Sequence, residues 1–404
     1  MKGSRSVAAS VAILCALGMA LVLLGSWSHA VSAAEETFKI GGLVPFSGPY
    51  GIIGKVMREG AELAVKENGG KILGRKVEFM WEDTETKPQV GVQKANKLLA
   101  KKADMLLGAA SSSVTLAIGQ LAKEHKTPLI STVSADPGLT GRFGNRYVFR
   151  TSNNTQMENL MAMEFAKSKG YKSVAVMAAD YAVGRITAEK FIEMMKEQGI
   201  ESKGAIYPPF GGKDFSPYIN ECLKSGADAA YVIVTGSDSV TFLKQADGVK
   251  LKEKMDIFGP VLVDLLSAKA VGDAAVGVFT GVRYSFTYDC PANKVFVAAY
   301  EKEYGNVPDQ FAGETYDGLR MFIAAIEKTG EMNKEKWIDT FEDFTYKDSV
   351  EGTKVMRKCD HQALQIGLFA EIVKGDKLPY PYPEVIKVFP PESIHEPCGE
   401  KYWW

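Results

Sequence analysis

Short β-branched runs alternate with longer amphipathic runs from Phe38 to Val282, and this alternation constrains the fold more than any other feature of the chain. Strands buried on both faces read as near-continuous apolar runs, and a helix between two of them carries the chain back over the sheet to start the next strand in parallel. The first block of expected strands is Phe38–Val44, Lys76–Trp81, Met105–Leu107, Pro128–Ser131 and Tyr147–Arg150. The second is Ser173–Met177, Gly204–Tyr207, Ala229–Val234, Asp256–Phe258 and Gly277–Val282. Helical periodicity fills the gaps, for instance over Val56–Glu67, Thr115–His125, Met157–Ser168 and Ile186–Glu197. The class that follows is α/β, with two doubly wound parallel-sheet lobes. In such sheets ligands bind beyond the carboxyl ends of the strands, so two of them facing each other would place a site in the cleft between.

After Val282 the alternation gives way to helices at Ala292–Tyr304, Ala312–Lys328 and Lys334–Phe341, then to extended segments at Gly352–Arg357 and Ile366–Val373. A discontinuous domain arrangement is expected from that change. The tail is rich in Pro and aromatics (Tyr380, Tyr382, Trp403, Trp404) and reads as a strap laid across a surface.

At the other end, Lys2 and Arg5 precede a 19-residue run without charge from Val7 to Gly25, and small residues follow at Val31-Ser32-Ala33. That pattern is a secretory leader over residues 1–33. The alternative is a permanent anchor. Lipidation is not expected, because Cys15 follows Leu14 inside the apolar run. The mature chain then carries 46 basic and 49 acidic side chains. So even a balance leaves no broad positive field for phosphate backbones, and a nucleic-acid role is excluded. Four cysteines survive, Cys222, Cys290, Cys359 and Cys398, and an exported chain permits disulfides among them. Three pairings are open. Cys359 with Cys398 would staple the tail, against the alternative of free buried thiols.

Catalytic constellations are absent. His125, His361 and His395 lie at no metal-ligand spacing, so no metal or cofactor is expected, and His125 ends a helical pattern where its charge suits the dipole. There is no G-x-S-x-G elbow and no C-x-x-C pair. Gly48 to Gly54 with Lys55 only imitates a phosphate loop, since Val56 stands where a magnesium-binding hydroxyl belongs. What the sequence does hold is a set of hydroxyl-rich loops after strands. Gly108-Ala-Ala-Ser111-Ser112-Ser113 leaves one strand and opens a helix, a place suited to a carboxylate, with a helix cap as the plainer reading. Ser131-Thr-Val-Ser134-Ala135-Asp136-Pro137 follows the next strand and would lie beside it.

An ordered set of segments resembles a known family. The set is Val44-Pro-Phe-Ser-Gly-Pro49, Arg58-Glu-Gly-Ala-Glu-Leu-Ala-Val65, Gly69-Gly70 with Gly74-Arg75, Pro128-Leu-Ile-Ser131, Phe149-Arg150-Thr151, Asp214-Phe-Ser216, Phe258-Gly-Pro260, Tyr304-Gly305, Tyr316-Asp317 and Asp360-His361-Gln362. Nearly the whole mature chain is similar to the type I periplasmic binding proteins of the leucine/isoleucine/valine class. The resemblance implies two lobes joined by three crossovers, here 34–151 with 285–350 and 152–284 with 351–404, closing on a small ligand. It also implies delivery to an ABC-type membrane permease by a protein expected to be monomeric, periplasmic and without catalytic residues.

By position, Ser111 resembles the family's carboxylate-binding serine, with Ser112 beside it, while Ser134 and Ala135 fall where Ala and Thr hold carboxylate and amine. Val183 stands at a frequent tyrosine, with Tyr181 two residues earlier, and Val261 replaces the acid that faces an ammonium. Burying an ammonium without an acceptor costs several kcal/mol, so the expected ligand lacks the amine unless Asp238 or Asp264 supplies the charge. Phe46, Tyr50 and Tyr284 would form an apolar wall or simply pack in the core. The function expected is the binding component of an ABC importer for a hydrophobic amino acid or an aromatic or branched acid. The alternative is a sensing domain of the same fold.

Overall fold

Period-two alternation explains how one strand can serve two cores. Along the strand Ser173–Ala178, Val174, Val176 and Ala178 join one apolar cluster, whereas Ala175 and Met177 join another on the opposite face. The computed structural model describes residues 36–395 with Pro397 and Cys398, and it builds two such covered sheets.

The first sheet contains β1 (Phe38–Val44), β2 (Lys71–Ile72), β3 (Arg75–Asp83), β4 (Met105–Gly108), β5 (Leu129–Ser131) and β6 (Val148–Arg150) in the order β2-β3-β1-β4-β5-β6. All its pairings are parallel except that of β2 with β3. Gly108 closes β4 at φ +116°, and a Cβ there would lie 2.1 Å from the carbonyl oxygen of Leu43, so only glycine lets β4 run this close to β1 before the serine loop.

The second sheet begins with β7 (Ser173–Ala178), β8 (Glu201–Ile206), β9 (Ala229–Ile233), β10 (Asp256–Pro260) and β11 (Phe279–Val282), all parallel. A small sheet of β12 (Thr345–Tyr346), β13 (Lys354–Met356) and β14 (Ala363–Leu364) follows in the chain. Then β15 (Gly367–Val373) and β16 (Tyr382–Phe389) extend the second sheet, giving β16-β15-β11-β10-β9-β7-β8 with both additions antiparallel. The fold is therefore the α/β, doubly wound, two-lobed one that the alternation implies, with the chain crossing between sheets three times.

Two readings change. Tyr382–Phe389 is a strand rather than loose strap; an edge position tolerates Pro383, which removes one ladder donor. Residues 351–364, assigned from sequence to the second lobe, pack with the first, because Met356 and Ala363 share the core of Phe149, Phe322 and Trp337. Below them Lys354, fully buried, bridges Asp317 at 2.8 Å and Glu351. Cys359 and Cys398 form a disulfide that ties the tail to this region, while Cys222 and Cys290 are free thiols. The leader at 1–33 and Trp403–Trp404 lie outside the described residues. Among the described residues no helix is long and apolar enough to cross a membrane.

Candidate functional site

The loops leaving the carboxyl ends of both sheets converge on one cavity of about 70 Å3. From the first sheet come Tyr50 and Ile53 after β1, Ala110 and Ser112 after β4, and Val133 and Ala135 after β5. From the second come Tyr181 and Val183 after β7, Thr235 and Asp238 after β9, and Pro260 and Val261 at β10. Thr155, Glu158 and Arg283, near the crossovers, and Phe210 also line it. The structure places the cavity where open parallel sheets put their ligands.

The two sides meet through aromatic rings. Tyr181 stacks on Phe210 with centroids 4.7 Å apart, Tyr50 meets the same ring edge-on at 5.7 Å, and the two tyrosine hydroxyls are 3.4 Å apart. Burial pushes both phenols above their usual range. Ser237 Oγ also lies 3.5 Å from the carbonyl of Pro49. The contacts of Tyr50 with Phe210 and Tyr181, and of Ser237 with Pro49, cross from one sheet's loops to the other's, so the cleft is shut, while the Tyr181–Phe210 stack holds the second side of the latch together.

Beneath this latch, the helix Ser112–Glu124 starts at the cavity, with its first backbone N–H groups unused by the helix. Ser112 Oγ accepts from the N–H groups of Ala135 and Asp136 at 3.1 Å each. Two donors occupy its lone pairs, and its own proton has no acceptor among the described residues, so it is free to donate to a ligand. Thr115 and Ser134 share a short hydrogen bond behind it, and Ser134 also donates to Ala109 at 2.6 Å. That pair pins the two hydroxyl loops together.

Besides the two tyrosines, the lining contains Arg283 and the carboxyl side chains of Glu158 and Asp238. Arg283 Nε donates to Glu158 at 2.7 Å and its Nη1 to the carbonyl of Val133, with both side chains almost wholly buried. Asp238 accepts from the N–H of Gly211 at 2.9 Å through Oδ2, while Oδ1 is buried without a partner. Burial raises the Asp238 pKa, opposed by the hydrogen bonds from Gly211 and Ser237.

Of the residues singled out from sequence, Tyr50, Ser112, Ala135, Tyr181, Val183, Asp238 and Val261 line the cavity. Ser111, Ser134, Phe46, Tyr284 and Asp264 do not. Ser111 is the residue before the helix, and its hydroxyl meets only Ser113 at 3.1 Å. Phe46 sits at the surface, 38% exposed, edge-on to Trp81. Tyr284 is core: its hydroxyl donates to Asn293 at 2.7 Å, and its ring occupies the space where a Cβ on Gly313 would fall. Asp264 caps the helix Leu265–Val271 through the N–H of Ser267. Sequence reading missed Glu158, Arg283 and Phe210. Phe210 follows a strand in Tyr207-Pro-Pro-Phe210-Gly-Gly and was open to the same loop rule. Arg283 is the neighbour of Tyr284 at the bend after β11, and it lines the cavity while Tyr284 packs in the core.

Two facing parallel sheets that shut a polar-ended cavity define a two-lobed binding protein, and nothing in the lining pairs a nucleophile with a base. The profile of the periplasmic binding protein family matches residues 37–377, and the chain belongs to that family. It is a periplasmic solute-binding protein and not an enzyme. Among its relatives is Leu/Ile/Val-binding protein homolog 6 of Brucella melitensis biotype 1, 29% identical over 321 residues that span 77% of this chain and 82% of the relative. The leucine-, isoleucine-, valine-, threonine- and alanine-binding protein of Pseudomonas aeruginosa is 26% identical over 329 residues, covering 80% and 86%. A solved ABC-transporter solute-binding protein from Rhodopseudomonas palustris BisB5, in complex with 3,4-dihydroxybenzoic acid, superposes with a TM-score of 0.82 at 28% identity, over 88% of this chain and 97% of the other.

Proposed function

We propose that the protein is the solute-binding component of an ABC importer, exported by cleavage of residues 1–33 and acting as a monomer that presents its ligand to the permease subunits. The ligand is a small carboxylate, either a hydrophobic amino acid or a related aromatic or branched acid. The observation that carries this reading is the unspent Ser112 proton at the start of the helix Ser112–Glu124, inside a cavity shut by Tyr50, Phe210 and Tyr181. One polar end and apolar walls at Ile53, Val133, Val183 and Val261 suit a compact anion with a hydrophobic body. The lobes are 34–151 with 285–364 and 152–284 with the rest, the amended boundary following the packing of Met356 and Ala363. Ligand binding shifts an open–closed equilibrium because it touches both lobes only when they are closed. The solved relative serves an ABC transporter, which supports transport over sensing.

Isothermal titration of the mature chain against hydrophobic amino acids and aromatic and branched acids tests the reading. At least one carboxylate should bind with micromolar or tighter affinity, and silence across the whole panel would refute it.

A further inference from the structure

The charge balance of the cavity reaches beyond that reading, and rests on it. Arg283 is the one cationic side chain in the lining, and Glu158 already neutralises it at 2.7 Å. The remaining formal charge is Asp238, 2% exposed, which accepts from the N–H of Gly211 through Oδ2 and from Ser237, and keeps a buried Oδ1 without a partner. A carboxylate buried with an empty acceptor site is expensive, and bringing a second anion into the same shut cavity adds like-charge repulsion to that cost. A ligand that carries a cationic donor removes both penalties at once.

We propose that Asp238 selects the ligand by accepting from its ammonium group, so that this cleft takes a zwitterionic amino acid in preference to a simple organic acid. Position fits the role. Asp238 lies in the first turn of the helix Ser237–Gly248, and Thr235 Oγ1 donates to the carbonyl of Val261 at 2.8 Å, which brings the loop after β9 against the loop after β10. The acid absent at position 261 is thus supplied from the neighbouring loop. Asp264, the other candidate, has its Oδ1 engaged by its own helix and lies outside the cavity lining.

The competing state is a protonated Asp238 that donates to an anionic acid, and the test separates the two. Titration calorimetry of the mature wild-type chain at neutral pH compares leucine with 4-methylpentanoate and phenylalanine with 3-phenylpropanoate, with 4-hydroxybenzoate as a further anion. The amino acid of at least one pair should bind roughly 30-fold or more tighter than its deaminated partner, the scale of a hydrogen bond between charged groups. Asp238→Asn should erase most of that preference by weakening the amino acid alone, whereas Ser112→Ala should weaken both members of the pair. Deaminated acids or 4-hydroxybenzoate binding as tightly as any amino acid in the wild type would overturn the assignment while leaving the carboxylate reading in place. Absence of binding by every compound would sink both. The wild-type comparison stands whether or not the Asp238 variant folds.

Discussion

Replacing Ser112 by alanine removes an oxygen that serves two loops and the ligand together. In the ligand-free protein the N–H groups of Ala135 and Asp136, both buried, lose their acceptor. An orphaned buried donor costs about 1–3 kcal/mol, and water entering this polar cavity meets part of the loss, so stability should fall by about 2–4 kcal/mol. In the complex the variant also lacks the donor to the ligand's carboxylate, a bond to a charged group worth about 1.5–3 kcal/mol, or roughly 10- to 150-fold in Kd. Ser111→Ala is the internal control: its hydroxyl touches only Ser113, so affinity should shift by less than about 0.5 kcal/mol. Urea unfolding reads the first effect and calorimetric titration with the tightest wild-type ligand reads the second. Binding by Ser112→Ala within about twofold of wild type, or a loss in Ser111→Ala as large as in Ser112→Ala, would refute the reasoning.

Three further outcomes are expected. Phe210→Ala removes the ring contact with Tyr50 that spans the cleft, worth about 0.5–1.5 kcal/mol, and should speed ligand release roughly 2- to 13-fold in stopped-flow displacement; an unchanged koff would show that this ring does not hold the closed state. Cys359→Ser with Cys398→Ser frees a link spanning 39 residues and should cost about 3–4 kcal/mol in urea unfolding, with a loss below about 1 kcal/mol counting against the link as a stabiliser. Asp309 is pushed up to about 8 by burial and by the neighbouring carboxylate of Asp264, against the N–H groups of Phe311 and Leu265 that favour its ionised form. The folded protein then holds a proton that the unfolded chain releases near its ordinary carboxylate value. Stability contributed by that proton is full in acid and drains away as pH rises toward 8. Asp309→Asn, which keeps the cap, should flatten this slope in thermal melts across the window, and an unaltered slope would assign the proton elsewhere.

The parts of the site that were legible share one property: each is written in a contiguous stretch. Ser112, Ala135, Tyr181 and Asp238 all follow a strand, and a loop after a strand in a parallel sheet faces the ligand edge whatever else the chain does. The errors are small displacements along the chain with large displacements in direction. Ser111 and Ser112 differ by one residue, yet Ser111 is the extended residue before the helix and Ser112 opens it, so one hydroxyl faces Ser113 and the other the cavity. Arg283 and Tyr284 differ by one residue at the bend after β11, and one lines the cavity while the other packs in the core.

Periodicity alone determined the alternation of strands and helices as far as Val282, the two covered sheets and the edge at which a ligand binds, because these depend on which residues are apolar at a spacing of two or near four along a continuous segment. Tertiary structure decided the chemistry inside the cleft. Glu158 is one glutamate on a helix until Arg283, 125 residues later, is folded against it. Asp238 and Asp264 are equivalent on paper and each keeps one buried oxygen without a partner; what distinguishes them is that Asp264 caps its own helix outside the lining while Asp238 faces the cavity. Solvation is the physical reason: a side chain's hydrogen-bonding appetite is local, but whether water remains to satisfy it depends on every segment that packs around it.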